Sequence, residues 1–99
     1  MAYSLQTLKV FAAMLEDQSG QHFGYELMKQ TKLMSGTIYP ILARLENEGI
    51  LESDIEEIDP VVAGRRARTY YRLTGHGVKA ARNSLRDALS TLQTVKVGG

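Results

Sequence analysis

Gly36-Thr-Ile-Tyr-Pro-Ile-Leu-Ala-Arg-Leu-Glu-Asn-Glu-Gly49 is the stretch that decides the fold of this 99-residue chain. Its apolar residues recur at helical spacing and predict a helix with one buried face. These residues are Ile38, Ile41, Leu42 and Leu45. A proline is tolerated only near a helix start, so Pro40 favours a start shortly before it, with Ser35 or Thr37 as the N-cap. Gly49 is typical of the left-handed residue that ends a helix.

The segments around this helix alternate between helical and extended patterns. Residues 4–17 and 24–31 are predicted to form the first and second helices, which makes 36–49 the third. Residues 50–58 and 69–73 read as two strands of a hairpin, because β-branched and aromatic residues favour extended chain. A last helix, capped by Thr74, is expected from residue 75 or 76 to about 95. The predicted fold class is therefore α+β, mainly helical with a small β-hairpin.

Charge is distributed unevenly along the chain. The net charge is +1, but residues 1–59 hold four Lys/Arg against ten Asp/Glu, whereas residues 60–99 hold eight against one. A near-neutral total therefore does not exclude nucleic-acid binding, since a local basic surface is sufficient. The alternative is that the acidic and basic halves neutralise each other within the fold.

A helix beside a basic hairpin is the layout of a winged helix-turn-helix, a module that reads DNA. At the tip of the third helix, Ser35, Gly36 and Thr37 are small or hydrogen-bonding, so backbone amides there can approach a phosphate. Tyr39 can bond a phosphate or contact a thymine methyl, and Arg44 can neutralise a phosphate. In the alternative interpretation the two hydroxyls only cap the helix and Tyr39 packs on the second helix.

The arginines that follow the hairpin tip form the second candidate contact. Arg65 and Arg66 are predicted to enter the minor groove, where a narrow A·T-rich groove concentrates negative potential. Arg72 continues the basic strip without a clear role. The alternative is pairing with the facing strand, whose acidic residues are Glu52, Asp54, Glu56, Glu57 and Asp59. Exposed pairs of that kind contribute only about 0–1 kcal/mol and leave the arginines open to competition by DNA.

The last helix carries an apolar seam with 3-4-3-4-3 spacing, typical of a coiled coil. The seam consists of Val78, Ala81, Leu85, Ala88, Leu92 and Val95, and Leu89 widens it. A small domain cannot cover a seam of this length, which predicts a two-fold dimer. The main apolar stripe of the first helix, which is predicted to face the core, consists of Leu5, Leu8, Phe11, Ala12 and Leu15. Tyr3, Val10 and Met14 lie off that stripe and are expected to join the dimer interface; the alternative is that they cover the seam within one subunit. The predicted division is residues 1–74 for DNA binding and 75–99 for dimerisation.

Other classes of protein find no support in the composition. The chain has no Cys and no apolar run near the roughly 20 residues that cross a bilayer. It has no signal-peptide pattern, so a cytoplasmic protein is expected. His22 and His76 lie in no metal-ligand pattern, and no phosphate loop, nucleophile motif or acid/base pair is present. We therefore predict no catalytic residue, no metal and no cofactor.

Four stretches resemble the PadR-like family of winged helix-turn-helix transcriptional regulators. They are Phe23-Gly-Tyr-Glu-Leu27, the segment 35–51, the segment 64–74, and Thr74-Gly-His-Gly77. The resemblance covers about residues 5–92. It implies a dimeric prokaryotic regulator, often a repressor, with the third helix in the major groove and the wing in the minor groove. By position, the implied DNA contacts are the seven residues already named, and the last helix exchanges contacts with the partner subunit.

Two further hypotheses stay open beside a repressor of inverted-repeat DNA. Some members of the family bind flat aromatic compounds at the dimer interface, so a small aromatic effector is a candidate partner. Its cavity would lie between the first and last helices, lined by Tyr3, Val10, Met14 and Leu89. The absence of Trp argues against a Trp-stacked site. The acidic first half instead supports a winged-helix module that binds proteins and not DNA.

Overall fold

The computed structural model describes residues 3–17 and 20–94. Within them the helices are α1 Leu5–Leu15, α2 Gly24–Thr31, α3 Ser35–Asn47, α4 Pro60–Ala63 and α5 Gly75–Thr94. The strands are β1 His22–Phe23, β2 Leu51–Ile55 and β3 Thr69–Leu73. The strands form one antiparallel sheet in the order β1-β3-β2. The mainly helical fold with a small sheet and a long last helix was predicted correctly.

Helix α1 begins where the sequence indicated, but its buried side combines Phe11 of the predicted stripe with the edge that carries Val10 and Met14. The Ser4 hydroxyl caps the helix by accepting the Thr7 N–H at 3.2 Å. Val10 and Met14, predicted to lie at an intersubunit surface, have no exposed surface and sit in the core of one subunit. Leu5, predicted to face the core, is exposed. Both edges of α1 are apolar at helical spacing, so periodicity alone could not decide which of them packs inward.

Helix α3 has the predicted buried face and the predicted end. Ile38, Leu42 and Leu45 are fully buried. Gly49 has a φ of +74°, the left-handed conformation expected of a glycine stop. The N-cap prediction was wrong: the helix starts one residue earlier than Gly36, and Met34 occupies the N-cap position without a side-chain hydrogen bond.

The first strand of the wing is shorter than predicted, the return strand has its predicted bounds, and the tip is more structured. Strand β2 ends at Ile55, which pairs with Thr69, where the sequence indicated a strand to residue 58. The predicted tip contains the helical turn α4, capped by the Asp59 carboxylate, which accepts the Val61 N–H at 2.9 Å. The chain leaves this turn through Gly64 at a φ of +70°.

Helix α5 is anchored to the end of α3 by one threonine and one glycine. The Thr74 hydroxyl accepts the Gly77 N–H at 2.8 Å, as predicted for the cap, and donates to the Gly49 carbonyl at 2.7 Å. A Cβ on Gly77 would come within 2.8 Å of the Ile50 carbonyl carbon. A larger residue would therefore collide with backbone, which fixes how closely α5 can approach.

Burial decreases along α5, and this corrects part of the dimer prediction. Ala81 is fully buried inside its own subunit, so it cannot touch a partner. Val78, Leu85 and Ala88 are half-buried. Leu89 and Leu92 are exposed on a molecule that measures 61 × 26 × 21 Å. The last seam position, residue 95, and the rest of the predicted helix end lie outside the described residues.

The remaining predicted interface residue also packs within its own subunit. The ring of Tyr3 meets Phe11 edge-on, with 5.1 Å between ring centres. Its hydroxyl donates to Glu48 Oε1 at 3.0 Å. Burial, with this hydrogen bond as the second cause, raises the pKa of Tyr3. Tyr3 therefore joins α1 to the end of α3, and it keeps only part of its surface for a partner.

Candidate nucleic-acid interface

The tip of α3 exposes backbone. Ser35, Gly36 and Thr37 are all exposed, and the two hydroxyls cap nothing, contrary to the alternative interpretation. Apart from its two chain neighbours and the backbone of its own helix, no described atom lies within 4 Å of the position that a Cβ on Gly36 would take. Pro40 has no N–H to donate to the Gly36 carbonyl. The first turn of α3 therefore presents unobstructed peptide groups to the outside.

Tyr39 packs on α2 and still reaches solvent. A Cβ on Gly24 would lie within 2.8 Å of Tyr39 Cε1, so the ring rests on the glycine that begins α2. The residue nevertheless remains 44 % exposed. Contact with α2 and contact with an outside partner are thus compatible, and Gly24 is the residue that makes room for the ring.

Arg44 lies on the side of α3 that carries Glu48 and faces the ring of Tyr3. Its Nε is 3.5 Å from Glu48 Oε2, and its guanidinium lies 5.4 Å from the centre of the Tyr3 ring. Both members of this ion pair are exposed. Exposed pairs are weak, so an incoming phosphate can replace Glu48 at little cost.

Two of the arginines of the wing are held by carboxylates. Arg65 donates from Nη1 to Glu56 Oε1 at 2.7 Å and from Nη2 to Glu56 Oε2 at 3.0 Å. These bonds are the main reason that the pKa of Glu56 falls to about 2. Arg72 donates from Nε to Glu52 Oε1 at 2.9 Å. The alternative of pairing with the acidic strand therefore holds for both residues.

The other two arginines of the wing are not held in this way. Among the described side chains, no carboxylate binds the guanidinium of Arg66 or Arg68, and both residues are exposed. Arg68 extends over the ring of Tyr25, with 5.0 Å between its guanidinium and the ring centre. Sequence reasoning chose Arg65 and passed over Arg68, because only the folded wing reveals which arginine meets Glu56.

Two observations concern other kinds of site. Over residues 3–17 and 20–94, no three His, Asp or Glu side chains are grouped so that they could hold a metal ion. In the same part of the chain, no helix has the length and apolar character needed to cross a membrane. His22, one of the two histidines, is buried, and its ring nitrogen Nε2 lies within hydrogen-bond distance, 2.8 Å, of the Asp17 carbonyl oxygen.

Comparison with solved structures supports the winged-helix arrangement. A PadR-like transcription factor from Bacteroides fragilis is 22 % identical, with a TM-score of 0.64 and 92 % of each chain covered. A PadR-like regulator from Bacillus cereus is 20 % identical, with a TM-score of 0.69, 89 % of this chain and 84 % of that chain covered. At these identities the likeness establishes the fold alone.

A third solved structure is a more distant regulator in sequence. BpsR of Bordetella bronchiseptica, whose DNA binding is regulated by 6-hydroxynicotinic acid, is 16 % identical with a TM-score of 0.76. The match covers 98 % of this chain and 64 % of that chain. No curated protein matches the sequence.

Family assignment rests on the sequence itself. The family described as transcriptional regulator PadR-like matches residues 13–83, which contain α2, α3, the wing and the start of α5. The match covers most of the chain, including the bare tip of α3 and the arginines of the wing. The chain belongs to the PadR-like family of transcriptional regulators.

Proposed function

We propose that this protein is a homodimeric repressor that reads an inverted repeat in double-stranded DNA in the cytoplasm. Membership of the family supports a DNA-binding regulator. The dimer, the symmetric operator, the repressing role and the contacts of individual residues are the proposal. One observation is the main support for the proposal: no other part of the subunit covers the backbone around Gly36, and no contact within the subunit requires a glycine at that position.

A glycine within a helix needs a reason. It costs roughly 1 kcal/mol relative to alanine, because the unfolded chain loses more freedom. At Gly36 a methyl group would meet empty space, so internal packing supplies no reason. Close approach of another molecule does supply one. Thr37 and Ile38 donate their N–H groups to the Met34 carbonyl, whereas those of Ser35 and Gly36 have no partner among the described residues and are available to a phosphate.

The side chains around the tip extend the surface. Ser35, Thr37 and Tyr39 border the bare backbone, and Arg44 adds a positive charge farther along α3. In the wing, we assign the minor-groove contact to Arg66, whose guanidinium is unpaired. Arg65 keeps a place in the interface, but its bidentate bond to Glu56 suits it to holding the wing in shape.

The second half of α5 supplies the proposed dimer surface. Leu89 and Leu92 are exposed and continue the heptad spacing from half-buried Leu85 and Ala88. Pairing this seam with its copy would remove apolar surface from water. A two-fold axis there would present two α3 helices to half-sites about one helical turn, roughly 34 Å, apart.

Replacement of Gly36 by alanine tests the proposal. G36A should leave the melting temperature unchanged or raise it, because alanine favours helix and the site has room. It should weaken DNA binding at least tenfold, since the methyl group holds phosphate away from the backbone. G75A is the matched control: Gly75 also opens a helix with nothing within 4 Å of its Cβ position. Fluorescence anisotropy with labelled duplex measures both variants; wild-type affinity in G36A would refute the assignment.

A small aromatic effector and a protein-binding role remain predictions. The effector cavity predicted between the first and last helices requires revision, because Val10 and Met14 are fully buried within one subunit and cannot line it. Regulation of the Bordetella protein by an aromatic acid keeps an effector of this class under consideration for the present chain.

A further inference from the structure

A cavity of about 360 Å³ opens between α3 and the wing. Three elements supply its lining, which includes Gly24, Tyr25, Tyr39, Arg68, Thr69 and Tyr71. The start of α2 forms the floor, Tyr39 comes from α3, and the remaining residues come from the wing. The cavity thus lies where the two DNA-reading elements of the proposed interface adjoin each other.

The side-chain hydrogen-bond donors in this cavity have no acceptor among the described residues, although the Arg68 guanidinium lies over the ring of Tyr25. Among the described residues, no carboxylate binds the Arg68 guanidinium and no hydrogen bond engages the hydroxyls of Tyr39, Thr69 or Tyr71. Burial is the main cause that raises the pKa of Tyr71, so its phenol stays protonated at neutral pH. Several free donors around one cationic group suit an oxyanion.

Two carboxylates beside this cluster are already engaged. Glu56, whose pKa the charge of Arg68 helps to lower, accepts two hydrogen bonds from Arg65 and one from the backbone N–H of Arg68 at 2.9 Å. The charge of Glu46 also contributes to the raised pKa of Tyr71. Its Oε2, however, accepts the hydroxyl of Ser53 on β2. Glu46 is absent from the cavity lining, so it does not occupy the space between the free donors.

The geometry of winged-helix binding indicates that this oxyanion is a backbone phosphate of DNA. When a helix lies in the major groove and a wing in the adjacent minor groove, the sugar–phosphate strand between those grooves must cross the surface between helix and wing. We propose that the cavity seats a backbone phosphate of bound DNA, with Arg68 as its charged ligand and the hydroxyls of Tyr39 and Thr69 as further donors. This inference rests on the proposed function and adds a residue to it.

Other arginines of the wing are poorly placed for this task. Arg65 is bonded to Glu56. Arg72 is bonded to Glu52 and lies 5.8 Å from the centre of the Tyr70 ring. Since Tyr70 and Arg72 alternate with Thr69 and Tyr71 along β3, they lie on the opposite face of the sheet. Arg72, which lies on β3 whereas Arg68 directly precedes that strand, therefore provides a control of equal charge.

The salt dependence of DNA affinity tests whether Arg68 and this cavity bind a backbone phosphate. Each phosphate neutralised contributes about 0.9 to the slope of log K against log salt. R68A should lower that slope by about 1.8 in a dimer, equally for operator and random duplex, because a phosphate contact carries no sequence information. R68K should retain most of the slope, and R72A should leave it unchanged. Circular dichroism melts verify that the variants fold.

The outcomes of this salt titration distinguish a failure of the inference from a failure of the proposed function on which it rests. If the affinity of the wild-type protein for duplex falls steeply with salt and R68A shows the same slope, the proposed phosphate contact of Arg68 is wrong and the proposed function stands. If the wild-type protein binds no duplex at low salt, both fall. A slope reduced as much in R72A as in R68A would also overturn the assignment to this cavity.

Free anions are distinguished by titration with inorganic phosphate. The Nε–H resonance of Arg68 should move on addition of duplex at micromolar concentration, and on addition of phosphate only in the millimolar range. Equal sensitivity to phosphate would assign the cavity to a free anion and overturn its role as a DNA contact.

Discussion

The exposed leucines at the end of α5 give the sharpest prediction about assembly. L89A combined with L92A should convert a dimer into a monomer without unfolding the helix. Leu89 is 56 % exposed and Leu92 is 69 % exposed in the single subunit, so most of the surface of each is still available for burial by a partner. Alanine preserves the helix because its helix propensity is the highest of all residues.

The exposed fractions set the magnitude. Leucine to alanine removes three carbon groups, which are worth about 0.8 kcal/mol each when fully buried. Scaled by the exposed fractions, the two changes remove about 3 kcal/mol per subunit and about 6 kcal/mol per dimer. The dimer Kd should therefore rise by up to about 10⁴-fold, with about 10²-fold expected if the partner covers half of that surface.

Sedimentation equilibrium over a wide protein concentration range measures this Kd. V62A is the control, because Val62 is also apolar and is even more exposed, at 85 %, but lies at the tip of the wing in α4. It should leave the Kd unchanged. A wild-type protein that stays monomeric at every concentration would refute the reasoning, and so would an unchanged Kd in the double variant.

Two further changes test the anchoring of α5 and the wing. G77A should lower stability by about 1–3 kcal/mol in a denaturant melt, because the new Cβ meets the backbone of Ile50; a wild-type midpoint would show that α5 shifts freely. The Glu56 carboxyl should titrate with a midpoint near pH 2 by NMR, and at a higher pH in R65A, because the hydrogen bond from Arg65 is the main cause that lowers its pKa. Since the folded pKa is lowered, this pair stabilises the wing above the unfolded pKa and is lost as pH falls towards 2; an ordinary midpoint in the wild-type protein would contradict the bidentate contact.

Local patterns were sufficient to predict much of this fold. The apolar spacing of α3, the left-handed Gly49 and the Thr74 cap each depend on residues within one turn of each other, and the structure contains all three. The single β-hairpin and the long last helix follow from equally local signals.

The wrong predictions concern features that are determined only by tertiary contacts. Helix α1 has two apolar edges, and packing against α2 and α5 selects the edge with Val10 and Met14. The start of α3 at Ser35 leaves Met34 as an N-cap that no propensity favours. In the wing, the turn α4 brings Arg65 onto Glu56, nine residues away, and leaves Arg68 facing the cavity. Sequence spacing could not distinguish these arginines.

Selection of bound duplexes from a random DNA pool tests the central claim most directly. A pair of α3 helices held by a two-fold axis should enrich an inverted repeat whose half-site centres lie about one helical turn, roughly 10 base pairs, apart. Enrichment should disappear with G36A and persist with G75A. A pool that enriches no sequence, or one that enriches a single asymmetric half-site, would contradict the account.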